Sequence, residues 1–136
     1  MIALYLDAAA VIYLIEGSSS VRAQVHAHIE QAEKVPAGRL LASRLSRLEC
    51  RVKPLRTGDA AMLATYDAFF TRARLSVLDV SAAVLDRATE LRARHGFKVP
   101  DAIHLASAIE AGADAFLTGD AGLAKCPGLN VELLIP

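Results

Sequence analysis

Four acidic residues of this 136-residue chain lie where the surrounding pattern is apolar or where an apolar run ends: Asp7, Glu49, Asp101 and Asp120. Carboxylates that are brought together repel one another unless a divalent cation neutralises them. Their oxygen ligands suit hard ions such as Mg²⁺ or Mn²⁺ rather than zinc. A cation bound in this way activates water and stabilises the charge that develops on a phosphate, so the set favours phosphodiester hydrolysis.

Each of the three aspartates, taken alone, also has a simple structural explanation. Asp7 can cap the helix that is predicted to follow it, and Asp101 stands after Pro100 in the first turn of another helix, where negative charge is favoured. Asp120, in a Thr-Gly-Asp-Ala-Gly run, can be an ordinary turn residue. The functional interpretation therefore depends on all the acids meeting at one place.

Glu49 belongs to a helical stretch in which Leu45, Leu48 and Val52 recur at helical spacing. We expect this stripe to face the core, with Glu49 on the same inward side. An inward carboxylate needs a cation, a proton or a metal ion, because an unpaired buried charge is very costly. The alternative is a glutamate at the edge of the stripe, paired with a neighbouring arginine.

The elements that must position these acids alternate along the chain. Periodicity and capping signals predict strands at 2–6, 40–43, 75–80, 115–118 and 131–135, with helices at 8–16, 18–35, 44–55, 59–70, 81–95 and 100–111. This order predicts one α/β domain over residues 1–136, with a mostly parallel central β-sheet flanked by helices. Asp7, Asp101 and Asp120 are then expected at strand-to-helix junctions, and a parallel sheet can gather all four acids at one edge.

Composition narrows the class of protein further. Fifteen basic and fifteen acidic residues give a net charge of zero, and the longest apolar run, 8–15, is too short to cross a bilayer. No basic segment precedes the apolar opening, and the two cysteines have no metal or redox spacing. We expect a reduced, cytoplasmic protein that does not bind membranes.

The charge is unevenly distributed. Residues 39–56 contain one acid, Glu49, and six basic residues: Arg39, Arg44, Arg47, Arg51, Lys53 and Arg56. Such a stretch can bind phosphates even in a neutral protein, although a solvated helix face is the simpler interpretation of the stretch alone.

Four segments around the acids resemble the motifs of the PIN-domain ribonucleases. They are Tyr5-Leu-Asp7-Ala-Ala-Ala-Val-Ile, Ser43-Arg-Leu-Ser-Arg-Leu-Glu49, Val99-Pro-Asp101-Ala-Ile-His-Leu-Ala-Ser-Ala108 and Phe116-Leu-Thr-Gly-Asp120. The third segment is the most specific, and the four together span nearly the whole chain in the family's order. The length, without an additional domain, is similar to that of the VapC-type toxins of toxin–antitoxin pairs.

The resemblance implies an endoribonuclease in which Asp7, Glu49, Asp101 and Asp120 are catalytic and bind one or two Mg²⁺ or Mn²⁺ ions. A metal-activated water would then cleave single-stranded or looped RNA. The resemblance also implies a homodimer and a VapB-like antitoxin whose tail covers the acidic site.

Residues near the motifs have lesser roles in this interpretation. Arg44, Arg47 and Arg51 become the expected contacts to the RNA backbone, and Thr118 is expected to support the ligands through a hydrogen bond. Ala8 stands where many relatives have a serine or threonine. This departure leaves open an alternative, a catalytically inactive scaffold that only binds RNA or a partner.

Two further features are interpreted as packing. His104 lies one helical turn after Asp101 and could orient a carboxylate, but a satisfied core histidine is the favoured interpretation. An aromatic stripe, Tyr66, Phe69 and Phe70, is expected in the core, with a dimer interface or antitoxin groove as the alternative.

Overall fold

A computed structural model describes residues 2–136 of the chain. The strands are β1 Ala3–Leu6, β2 Arg39–Ser43, β3 Leu75–Leu78, β4 Ala115–Thr118 and β5 Val131–Leu133. The helices are α1 Ala8–Glu16, α2 Ser19–Glu33, α3 Arg44–Thr57, α4 Ala60–Phe70, α5 Ala82–His95 and α6 Val99–Glu110, and a short 3₁₀ helix spans Ala121–Lys125. The predicted alternation of strands and helices is confirmed.

All five strands are parallel and lie in the order β3-β2-β1-β4-β5. Strand β1 is central, and the chain leaves it toward β2 on one side while β4 pairs with it on the other. A crevice forms at such a point, beyond the carboxyl ends of the two strands, and it is where open parallel sheets bind ligands. The fold therefore makes the ends of β1 and β4 the first place to look for a site.

The core has two halves, one on each face of the sheet. Leu4 and Leu6 of β1 face a cluster that is built mainly on α1, α2 and α4, whereas Ala3 and Tyr5 face a cluster built on α5 and α6. Because successive side chains of a strand point to opposite faces, a strand that is buried on both faces is apolar throughout. This explains why β1 appears in the sequence as a continuous apolar run.

Helix α3 corrects the apolar stripe that the sequence suggested. Leu48 and Val52, expected in the core, are 60% and 46% exposed. The residues of α3 that are buried recur every four positions instead: Ser46, Cys50 and Pro54. The inward face of α3 thus carries small side chains. Leu48 and Val52 lie on the opposite face, together with Leu55, which is 57% exposed.

Smaller differences concern positions along the chain. Asp101 does not follow a strand, because α6 comes directly after α5. Strands β3 and β5 end at Leu78 and Leu133, two residues earlier than expected. The aromatic stripe of α4 is buried, so its interpretation as packing is confirmed. Among the described residues, no helix is both long and apolar enough to span a bilayer.

Candidate active site

Two of the four acids follow the neighbouring strands β1 and β4. Asp7 is only 5% exposed and caps α1, because its Oδ1 accepts a hydrogen bond from the Ala10 N–H at 2.9 Å. Asp120 begins the 3₁₀ helix, and its Oδ1 accepts from the Gly122 N–H at 2.8 Å. Thr118, the last residue of β4, is buried, and its Oγ1 accepts a hydrogen bond from the Asp120 N–H at 3.1 Å.

Two helices contribute the other two acids. Asp101 stands in the first turn of α6, after Val99 and Pro100, and is half-buried. Glu49 lies in the second turn of α3, which begins at the carboxyl end of β2. Since β2 is the neighbour of β1, the start of α3 lies at the same edge of the sheet as Asp7.

The electrostatics of the acids show that they share one neighbourhood. Burial raises the pKa of Asp7 above its usual 3.8, and the charge of Asp101 raises it further. Burial also raises the pKa of Asp101, as do the charges of Asp120 and Glu49, while His104 and Lys98 oppose the rise. Asp101 thus interacts with all three other acids, and the protein itself leaves their negative charge poorly compensated.

The hydroxyl of Thr118 and the backbone of α1 offset part of this cost. Both lower the pKa of Asp7, because hydrogen bonds to the ionised carboxylate stabilise it. Thr118 therefore interacts with the acids that follow β1 and β4. Its hydroxyl stabilises the ionised Asp7 carboxylate and accepts a hydrogen bond from the Asp120 N–H.

His104 makes a contact with a carboxylate, which sequence reasoning had raised but not favoured. It is buried, as expected for a packing residue, but its Nε2 lies 2.8 Å from Glu49 Oε1. Its Nδ1 lies 2.7 Å from the hydroxyl of buried Tyr5. The only signal in the sequence was a polar residue on the otherwise apolar face of α6.

The three arginines that were expected to contact RNA lie on α3 and pair with acids of the chain. Arg44, at the start of the helix, donates from Nε to Asp79. Further along, Arg51 Nε donates to Asp67 Oδ1 at 2.8 Å, and Arg47 lies 3.9 Å from the same oxygen. Arg44 is the most exposed of the three and the nearest in sequence to the sheet edge.

The donor set fits a hard divalent cation in its chemistry, since it consists of carboxylate oxygens with uncompensated charge. In the orientations described for residues 2–136, no three Asp, Glu, His or Cys side chains converge closely enough to ligate one ion. Ligation therefore requires side-chain rotation at the site. Asp7, Glu49 and Asp120 each use one identified oxygen in a hydrogen bond within the protein, and each carboxylate has a second oxygen.

Solved structures share this fold at low sequence identity. A chain of VapBC2 from Rickettsia felis, bound to a DNA fragment from its promoter, has a TM-score of 0.79 and 18% identity, over 98% of this chain and 100% of that one. A chain of DNA-bound VapBC from Salmonella typhimurium has a TM-score of 0.74 and 20% identity, with 97% and 98% covered. VapC20 from Mycobacterium tuberculosis, a toxin that cleaves the sarcin-ricin loop, has a TM-score of 0.70 and 17% identity, with 89% and 92% covered.

No curated protein matches the sequence closely enough to count as a relative. The model of one protein family, the PIN domain, matches residues 4–129, which include all four acids, strands β2, β3 and β4 and all but the first residue of β1. With that match and the parallel sheet described above, the chain belongs to the PIN-domain family.

Proposed function

We propose that the chain is a divalent-metal-dependent endoribonuclease of the VapC type, the toxin of a type II toxin–antitoxin pair. The observation that carries the proposal is the common neighbourhood of Asp7, Glu49, Asp101 and Asp120 at the carboxyl edge of a PIN-domain sheet. The fold shared with VapC20, a toxin that cleaves the sarcin-ricin loop, and with chains of VapBC complexes supports it.

The four acids would hold one or two Mg²⁺ or Mn²⁺ ions, which would supply activation of water and neutralisation of charge on the scissile phosphate. The protein's own contribution is to hold the ligands at the sheet edge, where side-chain rotation would complete the site. Asp7 is held by the first turn of α1, Asp120 by the 3₁₀ helix, and Thr118 supports both. Ala8 has no hydroxyl with which to support the ligands, and the hydroxyl of Thr118 provides such support.

The exposed start of α3 is the proposed contact for the RNA backbone. Arg44 lies next to the site, and its partner Asp79 is 77% exposed, so this ion pair is weak and a phosphate can replace the aspartate. Arg47 and Arg51 share Asp67 and lie farther along the helix. We assign them to the same surface, with Arg44 as the nearest contact to the scissile phosphate.

The exposed leucines and valine of α3, Leu48, Val52 and Leu55, form an apolar stripe that suits the antitoxin. Basic side chains flank the stripe on the same helix, so a second copy of α3 would bring like charges together. A partner segment with acidic and apolar residues would meet complementary charge. Such a segment would lie beside Glu49 and could cover the acidic site.

The homodimer is assigned to a different surface. A groove of about 500 Å³ lies between α5 and α6 and is lined by Leu85, Val99 and Ile103, of which the first two are 47% and 51% exposed. Large exposed apolar residues on adjoining helices are typical of a protein interface. The groove is on the face of the sheet opposite to α4, which leaves the α3 stripe free.

Residues 1–136 are proposed to act as a single domain in the cytoplasm. Cys50 and Cys126 are both buried and unbonded to each other, as expected where thiols stay reduced.

Cleavage of total RNA by purified, antitoxin-free protein tests the proposed activity directly. With Mg²⁺ or Mn²⁺ we expect discrete fragments, which EDTA abolishes. Asp101→Asn should lower the cleavage rate by more than about 100-fold. Loss of a residue that only supports a metal ligand lowers activity by about 10- to 100-fold, and loss of the ligand itself should lower it more. Asp86→Asn, which removes the same charge from an exposed position on α5, is the matched control. Bound but uncut RNA under every metal would favour the inactive scaffold.

The stability of the metal-free protein should report the cost of keeping Asp101 ionised, which burial and the charges of the other acids impose. The pKa of Asp101 is raised on folding, so the folded protein binds its proton more tightly than the unfolded chain does. The resulting penalty is absent below the unfolded value of about 3.8 and is complete above the raised pKa. Urea unfolding in EDTA should therefore find Asp101→Asn more stable than the wild type at neutral pH, with the difference vanishing toward pH 3.5. A constant difference across this range would contradict the electrostatic account.

Salt dependence of RNA binding tests the role of Arg44. Arg44→Glu should weaken binding and reduce the slope of log K against log salt concentration by about 0.7 for each lost contact to a single strand, because fewer counterions are released. Lys34→Glu, an exposed position at the end of α2 and shortly before the start of β2, lies at the opposite edge of the sheet and should leave the slope unchanged. Binding can be followed by fluorescence anisotropy with a labelled RNA in EDTA, so that cleavage does not interfere. Equal slopes for the wild type and Arg44→Glu would remove this residue from the RNA surface.

Light scattering of two variants separates the two apolar surfaces. Leu85→Glu should convert the purified dimer to a monomer, because it buries a charge in the groove between α5 and α6. Leu48→Glu should leave the mass unchanged, since the α3 stripe is assigned to a different partner. The reverse result would exchange the two assignments.

A further inference from the structure

A buried chain of two hydrogen bonds ends on one of the four acids. Tyr5 on β1 contacts His104 on α6, and His104 contacts Glu49 on α3, so three separate elements are joined. The tyrosine and histidine are fully buried, whereas the glutamate is partly exposed. Burying polar groups is costly unless they form hydrogen bonds, and the buried members of this chain form them.

The donors and acceptors along this chain fix its direction. A carboxylate has no proton to donate, so the ring proton of a neutral His104 must lie on Nε2. Nδ1 is then an acceptor, and the Tyr5 hydroxyl must be the donor to it.

The start of this chain is rigid. Tyr5 belongs to the central strand, and its ring stacks on Phe116 of β4 with centroids 5.1 Å apart and planes 8° apart. His104 is surrounded by the buried residues of α6. The imidazole therefore has a fixed position and a fixed donor before any substrate arrives.

Glu49 needs such a support more than the aspartates do. Asp7 and Asp120 are held by the backbone of the helices that they cap, within three residues of their own positions. Glu49 has a longer side chain with more rotamers to lose, and its identified hydrogen bond is the one to His104. Since this bond engages Oε1, the other oxygen is the one that can face the site.

We propose that His104 is a positioning residue, which is oriented by Tyr5 and holds Glu49 Oε1 so that Oε2 is presented to the divalent cation. This inference rests on the proposed nuclease function, because it assigns the cation to the same site. The competing explanation is that His104 only fills the core and that its contact with Glu49 has no effect on the ligand.

Two substitutions at position 104 separate these explanations. Glutamine carries an amide nitrogen near the position of Nε2 and can still donate to Glu49. Asparagine ends near the position of Nδ1 and cannot reach it. Both replace the imidazole by a smaller amide in the same buried place, so thermal unfolding of the metal-free variants shows whether each has folded.

Mn²⁺ alone is the probe, and the free ion is followed by electron paramagnetic resonance without RNA. We expect His104→Asn to bind Mn²⁺ about 10-fold more weakly than the wild type, the lower end of effects seen for residues that support a metal ligand. His104→Gln should stay within about 3-fold of the wild type. Equal affinity in the two variants would overturn the proposal, whether both match the wild type or both fall below it.

A second measurement needs no metal. Nitrogen-15 spectra of the histidine side chains at neutral pH, assigned by comparison with His104→Asn, should show His104 with its proton on Nε2. Glu49→Ala should give a mixture of tautomers, because the carboxylate that requires a proton on Nε2 is gone. A proton on Nδ1 in the wild type would overturn the inference while leaving the nuclease proposal intact. Wild-type protein with the expected tautomer but no Mn²⁺ binding would overturn the proposed metal centre and, with it, the role of His104 there.

Discussion

Repulsion among carboxylates that the fold confines to one edge of a parallel sheet is the constraint on which this site depends. Burial is the main cause of the raised pKa values of Asp7 and Asp101, and the charges of the other acids add to it. A sheet whose central strand is buried on both faces supplies the stability that tolerates such a cost. The same repulsion would make the edge attractive to a cation, so an unfavourable feature of the metal-free protein would be the source of the proposed affinity.

Capping a helix and binding a metal are compatible roles for the aspartates. Asp7 and Asp120 do cap the elements that follow them, as the simple structural explanation held. One oxygen of a carboxylate is enough for a cap, and the second remains a donor for other contacts. The cap also fixes the direction of the side chain, so the local role prepares the proposed one.

Much of the fold could be predicted from the sequence, because its signals are local. The apolar runs predicted β1 and β4 close to their observed positions, and the helices predicted to begin at 18 and 81 are capped by Ser18 and Ser81. The prediction for the inward face of α3 was wrong, because leucines were given more weight than the small residues Ser46 and Cys50. Only the packed structure shows which side of this helix faces the sheet. Asp101 was placed at a strand-to-helix junction although the elements predicted on either side of it, 81–95 and 100–111, were both helices, as observed.

The candidate site was predicted as a set of residue types, and its connections were not. That four acids share one edge follows from the parallel order of strands, which the sequence suggested. The contact between His104 and Glu49 joins residues 55 positions apart and depends on how α3 and α6 approach each other across the edge of the sheet. No periodicity encodes that approach, so His104 looked like any buried histidine.

The fourteen residues of α3 contain both a site acid, Glu49, and the exposed stripe that begins at its neighbour Leu48. A segment laid along that stripe would stand directly in front of the entrance to the acidic edge. Inhibition of this chain would then need no conformational change, because the bound segment would block access to the acids. Inhibition would end as soon as that segment was degraded. Substitutions that altered the grip of such a segment would also fall beside Glu49, so one short helix would have to satisfy two kinds of selection at once.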